Sequence, residues 1–150
     1  MKTVYSLSLI LFIAAAALTS AMAHCEVPCG IYDDQARTDM IAEHITTIEK
    51  AMKQITALSG QSPVNYNQAV RWVMTKEEHA TKIQTIVSQY FLTQRIKSDA
   101  ADYDKKLAAL HQMLVAAMKC KQTTDPNNVE VLKGKLKEFE VLYFGHSHRK

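Results

Sequence analysis

Apolar residues recur at steps of three and four through most of this chain, and runs that alternate apolar with polar are scarce. That period belongs to helices with one buried face. The first such stretch, 34–59, carries Ile41, Ile45, Ile48, Met52 and Ile55. Asp33 or Asp34 suits its start, and Gly60 suits the left-handed position past its end. A polar turn, 61–65, ends in Asn65 as N-cap of a second stretch, 66–93. Ala69, Val73, Ala80, Ile83, Val87 and Tyr90 form its stripe; Trp72 and Phe91 widen it, and Lys76 is the one polar interruption. The third stretch, 99–122, has Ser98 as its cap and Tyr103, Leu107, Leu110, Leu114 and Ala117 in its stripe. Asp125 and Pro126 then form an N-cap and first helical position for 127–144, with Val129, Leu132, Leu136, Phe139 and Tyr143 facing inward and Gly145 as the stop. Four amphipathic helices on short connections predict an all-α fold, an up-down-up-down four-helix bundle over about 34–144. A polar, frayed tail follows over 145–150.

The start of the chain breaks this pattern. Residues 1–23 combine Lys2, an apolar run over 7–18 interrupted only by Ser8, and the small-x-small site Ala21-Met22-Ala23. This is the composition of a cleavable secretory signal. The segment is too short for a membrane span with ordinary flanks. Cutting by signal peptidase after Ala23 predicts an exported chain, periplasmic or extracellular, with no stable membrane insertion. An uncleaved anchor is the competing possibility. The rest, 24–150, is short enough to be one domain. A formal net charge of +3 is too mild to argue for a nucleic-acid partner. Four glycines and three prolines argue against a turn-rich β fold.

The cut would make His24 the first residue of His24-Cys25-Glu26-Val27-Pro28-Cys29-Gly30, a hooked loop shaped by Pro28 and Gly30. The free amine of His24 is one nitrogen donor. The deprotonated amide of Cys25 closes a chelate ring with it, the Cys25 thiolate closes the next, and Cys29 returns through the Pro28 turn. Two nitrogens and two thiolates in a plane select Cu(II) or Ni(II), whereas zinc and iron–sulfur sites prefer tetrahedral sulfur. The His24 imidazole is left as an axial donor. Two other fates stay open for Cys25 and Cys29: a small-loop disulfide, or a redox pair at a spacing wider than C-x-x-C.

The pattern His24-Cys25-x-x-Pro28-Cys29-Gly30-x-Tyr32 resembles the nickel hook of nickel-containing superoxide dismutases. Weaker likeness continues in Lys76-Glu77-Glu78-His79, Ser88-Gln89-Tyr90-Phe91 and Lys119-Cys120-Lys121-Gln122. The resemblance implies a four-helix-bundle enzyme, homohexameric, with one nickel ion per subunit cycling between Ni(II) and Ni(III) to convert superoxide to oxygen and hydrogen peroxide. It implies that His24, Cys25 and Cys29 hold the metal, that the His24 imidazole binds axially, and that Tyr32 gates the open face. Pro28 would shape the hook. Asp39 falls roughly where relatives carry a carboxylate that orients the axial imidazole, and His79 where they carry Arg or His near it.

Several residues depart from that family or stand outside it. Glu26 replaces an aspartate, and Phe91-Leu92-Thr93-Gln94 lacks the lysine that follows Tyr-Phe in relatives. Steering of an anion would then fall to residues such as Arg71, Lys76 or Arg95. Without the motif, Tyr32 would read as a staple of the loop onto the first helix. His44 and His111 read as surface or interhelical polar residues, and Cys120 as a buried free thiol. His146 and His148 could collect metal ions or simply belong to the tail. The competing functions are a non-catalytic exported carrier of nickel or copper, which needs the donors but no Tyr32 gate, and a thiol–disulfide protein, which needs no free His24 amine.

Overall fold

In a computed structural model of the chain the described residues are 30–147. The predicted leader, the hook positions 24–29 and the last three residues lie outside them. The chain divides into residues 1–32 and 33–150. The second unit is an all-α four-helix bundle: α1 (Asp34–Ser59), α2 (Tyr66–Thr85) running on as π-helical turns over Ile86–Arg95, α3 (Tyr103–Gln122) and α4 (Asn127–Phe144). Each helix packs against the next, and α1 closes the ring against α4. Among the described residues no helix is long and apolar enough to cross a membrane.

The ends of α1 and α4 follow from local chemistry. Asp33 Oδ1 accepts from the Ala36 N–H at 2.9 Å, which satisfies one donor that the first turn leaves open. Gly145 ends α4 at φ 81°, and its N–H donates back to the Val141 carbonyl. Asn65 caps α2 through the Gln68 N–H at 3.2 Å. α4 spans 127–144 as expected, but Pro126 rather than Asp125 occupies the N-cap position; Asp125 Oδ1 instead accepts from the Asn127 N–H at 3.0 Å in the turn before it. Gly60 departs from expectation: its φ of −86° is right-handed, so the end of α1 does not need a glycine there.

The start of α3 is a larger correction. The helix begins at Tyr103, not at 99, and Ser98 does not cap it. Asp102 sits at φ 54°, and a left-handed residue cannot continue an α-helix backward. Its carboxylate pairs with Lys105 at 2.8 Å instead of capping. The buried face of α3 is also rotated from the expected one. Lys106, Ala109, Leu110, Met113, Ala116, Ala117 and Cys120 point inward, while Tyr103, Leu107 and Leu114 ride its edge. Small Ala side chains let α3 approach its neighbours closely, and the larger leucines fill the flank.

The core draws on all four helices: Ile41, Ile45, Ile48 and Met52 from α1, Ala80, Ile83 and Val87 from α2 and its continuation, Leu110, Met113 and Ala117 from α3, and Val129, Leu132, Leu136 and Phe139 from α4. Phe91 lies edge-on to Phe139 at 4.9 Å, and Phe139 stacks with Tyr143 at 5.2 Å. The expected stripe of α2 holds from Ala80 onward but not at its beginning. Tyr66, Val70, Val73 and Met74 are exposed, while Lys76 is buried.

The π-helical turns were not anticipated. Ile96 N–H donates to the Phe91 carbonyl at 2.9 Å, and the side chains of Thr93 and Gln94 reach the carbonyls of Ser88 and Gln89, each five residues back. Bonding at this interval brings residues five apart onto nearly one face. In an α-helix they would diverge by about 140°. Tyr90 and Arg95 thereby face the same way, and both reach Asp34.

Candidate metal centre

Of the nine hook positions only Gly30, Ile31 and Tyr32 are described. Gly30 holds φ 76°, a conformation that costs glycine little and other residues more. Tyr32 is 41% exposed. His24, Cys25, Pro28 and Cys29 lie outside the described residues.

At the start of α1, directly after that segment, the bundle builds a dense polar cluster. Asp34 Oδ1 accepts from Tyr90 Oη at 2.6 Å and from Arg95 Nε at 2.8 Å. Its Oδ2 accepts from Arg95 Nη2 at 2.7 Å and from Tyr143 Oη at 2.8 Å. Burial pushes the Asp34 carboxyl up, but the Arg95, Tyr90 and Tyr143 hydrogen bonds outweigh it and hold the group below its ordinary value. Burial, reinforced by the Asp34 charge, pushes both tyrosines up to about 12. The Arg95 guanidinium is held charged by Asp34. Arg37 adds a cation over the Tyr90 ring at 5.0 Å. Asp34 was visible in the sequence only as a helix-start residue, because its partners lie 56, 61 and 109 positions away.

His79 meets His44 across α1 and α2, with the Nδ1 atoms 3.1 Å apart and the rings edge to face. One imidazole must donate and the other accept, so the contact requires at least one neutral ring. Burial lowers the pKa of both; the neighbouring His79 and Lys82 add to this at His44, and Lys82 at His79. His44 is therefore an interhelical polar residue, as expected. It lines an apolar groove with Met40, Val73, Met74 and Ile86, about 840 Å³ in volume. Asp39 is exposed on α1, where its Oδ1 accepts from Gln35 Nε2 at 3.0 Å.

Two of the three suggested steering cations are committed elsewhere. Lys76 is buried, donating to the Cys120 carbonyl at 2.7 Å and to that of Lys121. It neutralises the carbonyl end of α3. Arg95 is bound to Asp34. Arg71 is exposed. Part of the tail is better held than expected, because Ser147 Oγ donates to the buried Glu140 at 2.8 Å. His148 lies outside the described residues.

Cys120 is fully buried, and burial pushes its thiol up to about 11, with Lys76 only partly opposing. It stays a thiol at neutral pH and is a poor metal ligand. The other two cysteines of the sequence, Cys25 and Cys29, lie outside the described residues. Among the described residues no group of three or more His, Cys, Asp or Glu side chains could hold a metal ion. With the His24 nitrogens, the two hook thiols make a donor set that fits nickel.

The family model for nickel-containing superoxide dismutases matches residues 19–147. The chain belongs to that family. It is accordingly a nickel-dependent oxidoreductase that acts on superoxide. No curated protein matches the chain, and no solved structure does. In this dismutase, Asp34, Arg95 and the His44 partner of His79 are among the polar residues of the bundle whose contacts the motif did not announce.

Proposed function

We propose that this dismutase holds one nickel ion per subunit at its matured N-terminus and converts superoxide there: 2 O2•− + 2 H+ → O2 + H2O2. The observation that carries the proposal is that the family match spans the donor sequence from His24 to Cys29, while the remaining cysteine is withdrawn into the core. Signal peptidase cutting after Ala23 would free the His24 amine, so export and metallation follow one another. The His24 amine, the Cys25 amide and the thiolates of Cys25 and Cys29 would then hold the ion, with the His24 imidazole as a further donor. Nickel, when bound, supplies a one-electron couple between Ni(II) and Ni(III). Pro28 shapes the loop. Tyr32 faces the open side, excludes bulk water and offers its hydroxyl as a hydrogen-bond partner to the small anion. By likeness to the family, Asp39 and His79 are the bundle residues that would tune the His24 imidazole.

The enzyme works outside the cytoplasm, in the periplasm or beyond the cell. Its subunits associate, as a hexamer by likeness to the family, and the exposed apolar side chains at the start of α2 support self-association. The test is to express the chain from His24, load it with nickel, and follow superoxide decay together with the Ni(III) electron paramagnetic resonance. Dismutation with a rhombic Ni(III) signal is expected. Stoichiometric nickel binding without turnover would mean a metal carrier instead.

A further inference from the structure

His44 on α1 and His79 on α2 lie 35 positions apart in the chain, and packing of the two helices brings their Nδ1 atoms to 3.1 Å. Rigid neighbours hold both rings in place. Ile41, Ile45 and Ile48 flank His44, and Ala80 and Ile83 flank His79; all five are exposed by 2% or less. A hydrogen bond between the rings accounts for the contact only in part. An N–H···N bond prefers a straight line. Two imidazoles in such a line would hold their centroids farther apart than the observed 4.9 Å, so the rings are folded off the line joining their nitrogens.

The same separation suits two donors on one metal ion. Nitrogens about 2.0–2.1 Å from an ion stand roughly 2.9 Å apart at a right angle and roughly 3.3 Å apart at a tetrahedral one, and 3.1 Å falls between. Burial holds both rings toward the neutral form, which is the form that ligates. Two carboxylates, Glu43 and Glu78, act on the pair against one ammonium, Lys82, so the local charge favours a cation. The groove lined by His44, Glu77, Glu78 and Lys82 opens the pair to solvent and has room for water. We propose that His44 and His79 form a two-imidazole metal site, which takes one borderline divalent ion, Zn(II) being the type, between the two Nδ1 atoms. Imidazole donors suit zinc, copper and nickel, whereas calcium and magnesium take oxygen. Among the described residues no third histidine, cysteine or carboxylate completes a metal-binding group, so water fills the remaining positions. On binding, the proton on the donating Nδ1 moves through water to Nε2 of its own ring. Both rings then present an Nδ1 lone pair, and no net proton is lost. The bound ion ties α1 to α2. None of this depends on nickel at residues 24–29.

The test uses the full mature chain, nickel-loaded and freed of other metals, in four forms: unaltered, His44→Gln, His79→Gln and His111→Gln. His111 lines a separate pocket with Lys119 and Lys135, and its variant controls for zinc caught by a surface histidine. Zn(II) alone is titrated by calorimetry at neutral pH, and X-ray absorption at the zinc edge counts the imidazoles around the ion. The unaltered chain is expected to bind one zinc ion through two imidazoles. His44→Gln and His79→Gln should each weaken that binding by about tenfold or more, since losing even a group that only supports a ligand costs that much. His111→Gln should bind as the parent does. Zinc held by any other donors is common to all four forms and cancels in the comparison. Equal affinity in the parent and in both pair variants would overturn the proposal, as would weakening in only one of them, which is the mark of a lone histidine. If His44→Gln does not fold by circular dichroism, the zinc edge of the unaltered chain decides, and one imidazole instead of two overturns the proposal. Nickel content and superoxide decay are read alongside; their failure would strike the hook and leave the zinc result standing.

Discussion

Lys76→Met sets sequence pattern against structure. Methionine would complete the apolar stripe of Ala69, Val73, Ala80 and Ile83, so hydrophobic patterning alone predicts a more stable bundle. The structure predicts the reverse. Lys76 is 4% exposed, and its ammonium donates to the carbonyls of Cys120 and Lys121, which have no partner within the last turn of α3. A hydrogen bond from a charged donor contributes about 1.5–3 kcal/mol net, and the two to the carbonyls are lost together with a weaker one, at 3.2 Å, to the exposed Glu77. Relief from burying an ammonium offsets part of that. Methionine also recovers the contacts of the lysine stem. A net loss of about 2–3 kcal/mol is expected. For a bundle of this size that corresponds to a fall of roughly 10 °C in melting temperature. The assay is urea unfolding followed by far-ultraviolet circular dichroism, at fixed protein concentration and nickel content, because binding and association both shift apparent stability. A Lys76→Met variant as stable as the parent would refute the capping role and restore the simple stripe.

Other outcomes follow from the same structure. His44 and His79 are held below their ordinary value of 6.5, so the unfolded chain binds protons more readily than the folded one. Stability is therefore full above that value and falls as pH drops below it; the unfolding midpoint should decline as pH falls through 6.5, and His44→Gln should flatten that decline. Glu49, held at about 2 by Lys133 and Lys53, contributes only in more acid solution and does not blur the window. The glycines of α4 should behave oppositely. Gly145→Ala forces alanine to φ 81° and should cost about 1 kcal/mol, whereas Gly134, in mid-helix with open space where a Cβ would stand, should gain about 0.5–1 kcal/mol as alanine, both read from melting midpoints. Cys25→Ser or Cys29→Ser should abolish nickel uptake and turnover, while Cys120→Ala should retain both and lose only stability. Metal analysis beside the superoxide assay separates these.

The fold was legible where local chemistry and pattern agreed. Asp33, the isoleucines of α1 and the Gly145 stop each mark their element without help from the rest of the chain. The start of α3 was not, because Ser98 and the alanines at 100 and 101 look helical. Only the left-handed backbone at Asp102 shows that the helix begins later. The π-helical turns leave a faint trace in the sequence, adjacent buried pairs Ile86-Val87 and Tyr90-Phe91 four residues apart. A wide α-helical stripe would give the same trace. The burial of Lys76 and the partners of Asp34 were missed for a common reason. A buried charge declares itself through distant partners, and those partners exist only once the helices have packed. The proposed metal donors are the opposite case. They sit within six consecutive residues, so spacing and coordination chemistry carry the proposal without tertiary information.

The central claim is that the amine of His24 is a metal donor created by cleavage. The direct measurement is to compare the chain beginning at His24 with one carrying a single alanine before it, both exposed to nickel, by metal content, Ni(III) resonance and superoxide decay. The extension leaves every side chain in place but turns the amine into an amide and displaces the terminal charge. The account predicts that the extended chain loses the resonance and the activity while its bundle melts as before. Full activity with a wild-type resonance in the extended chain would contradict it.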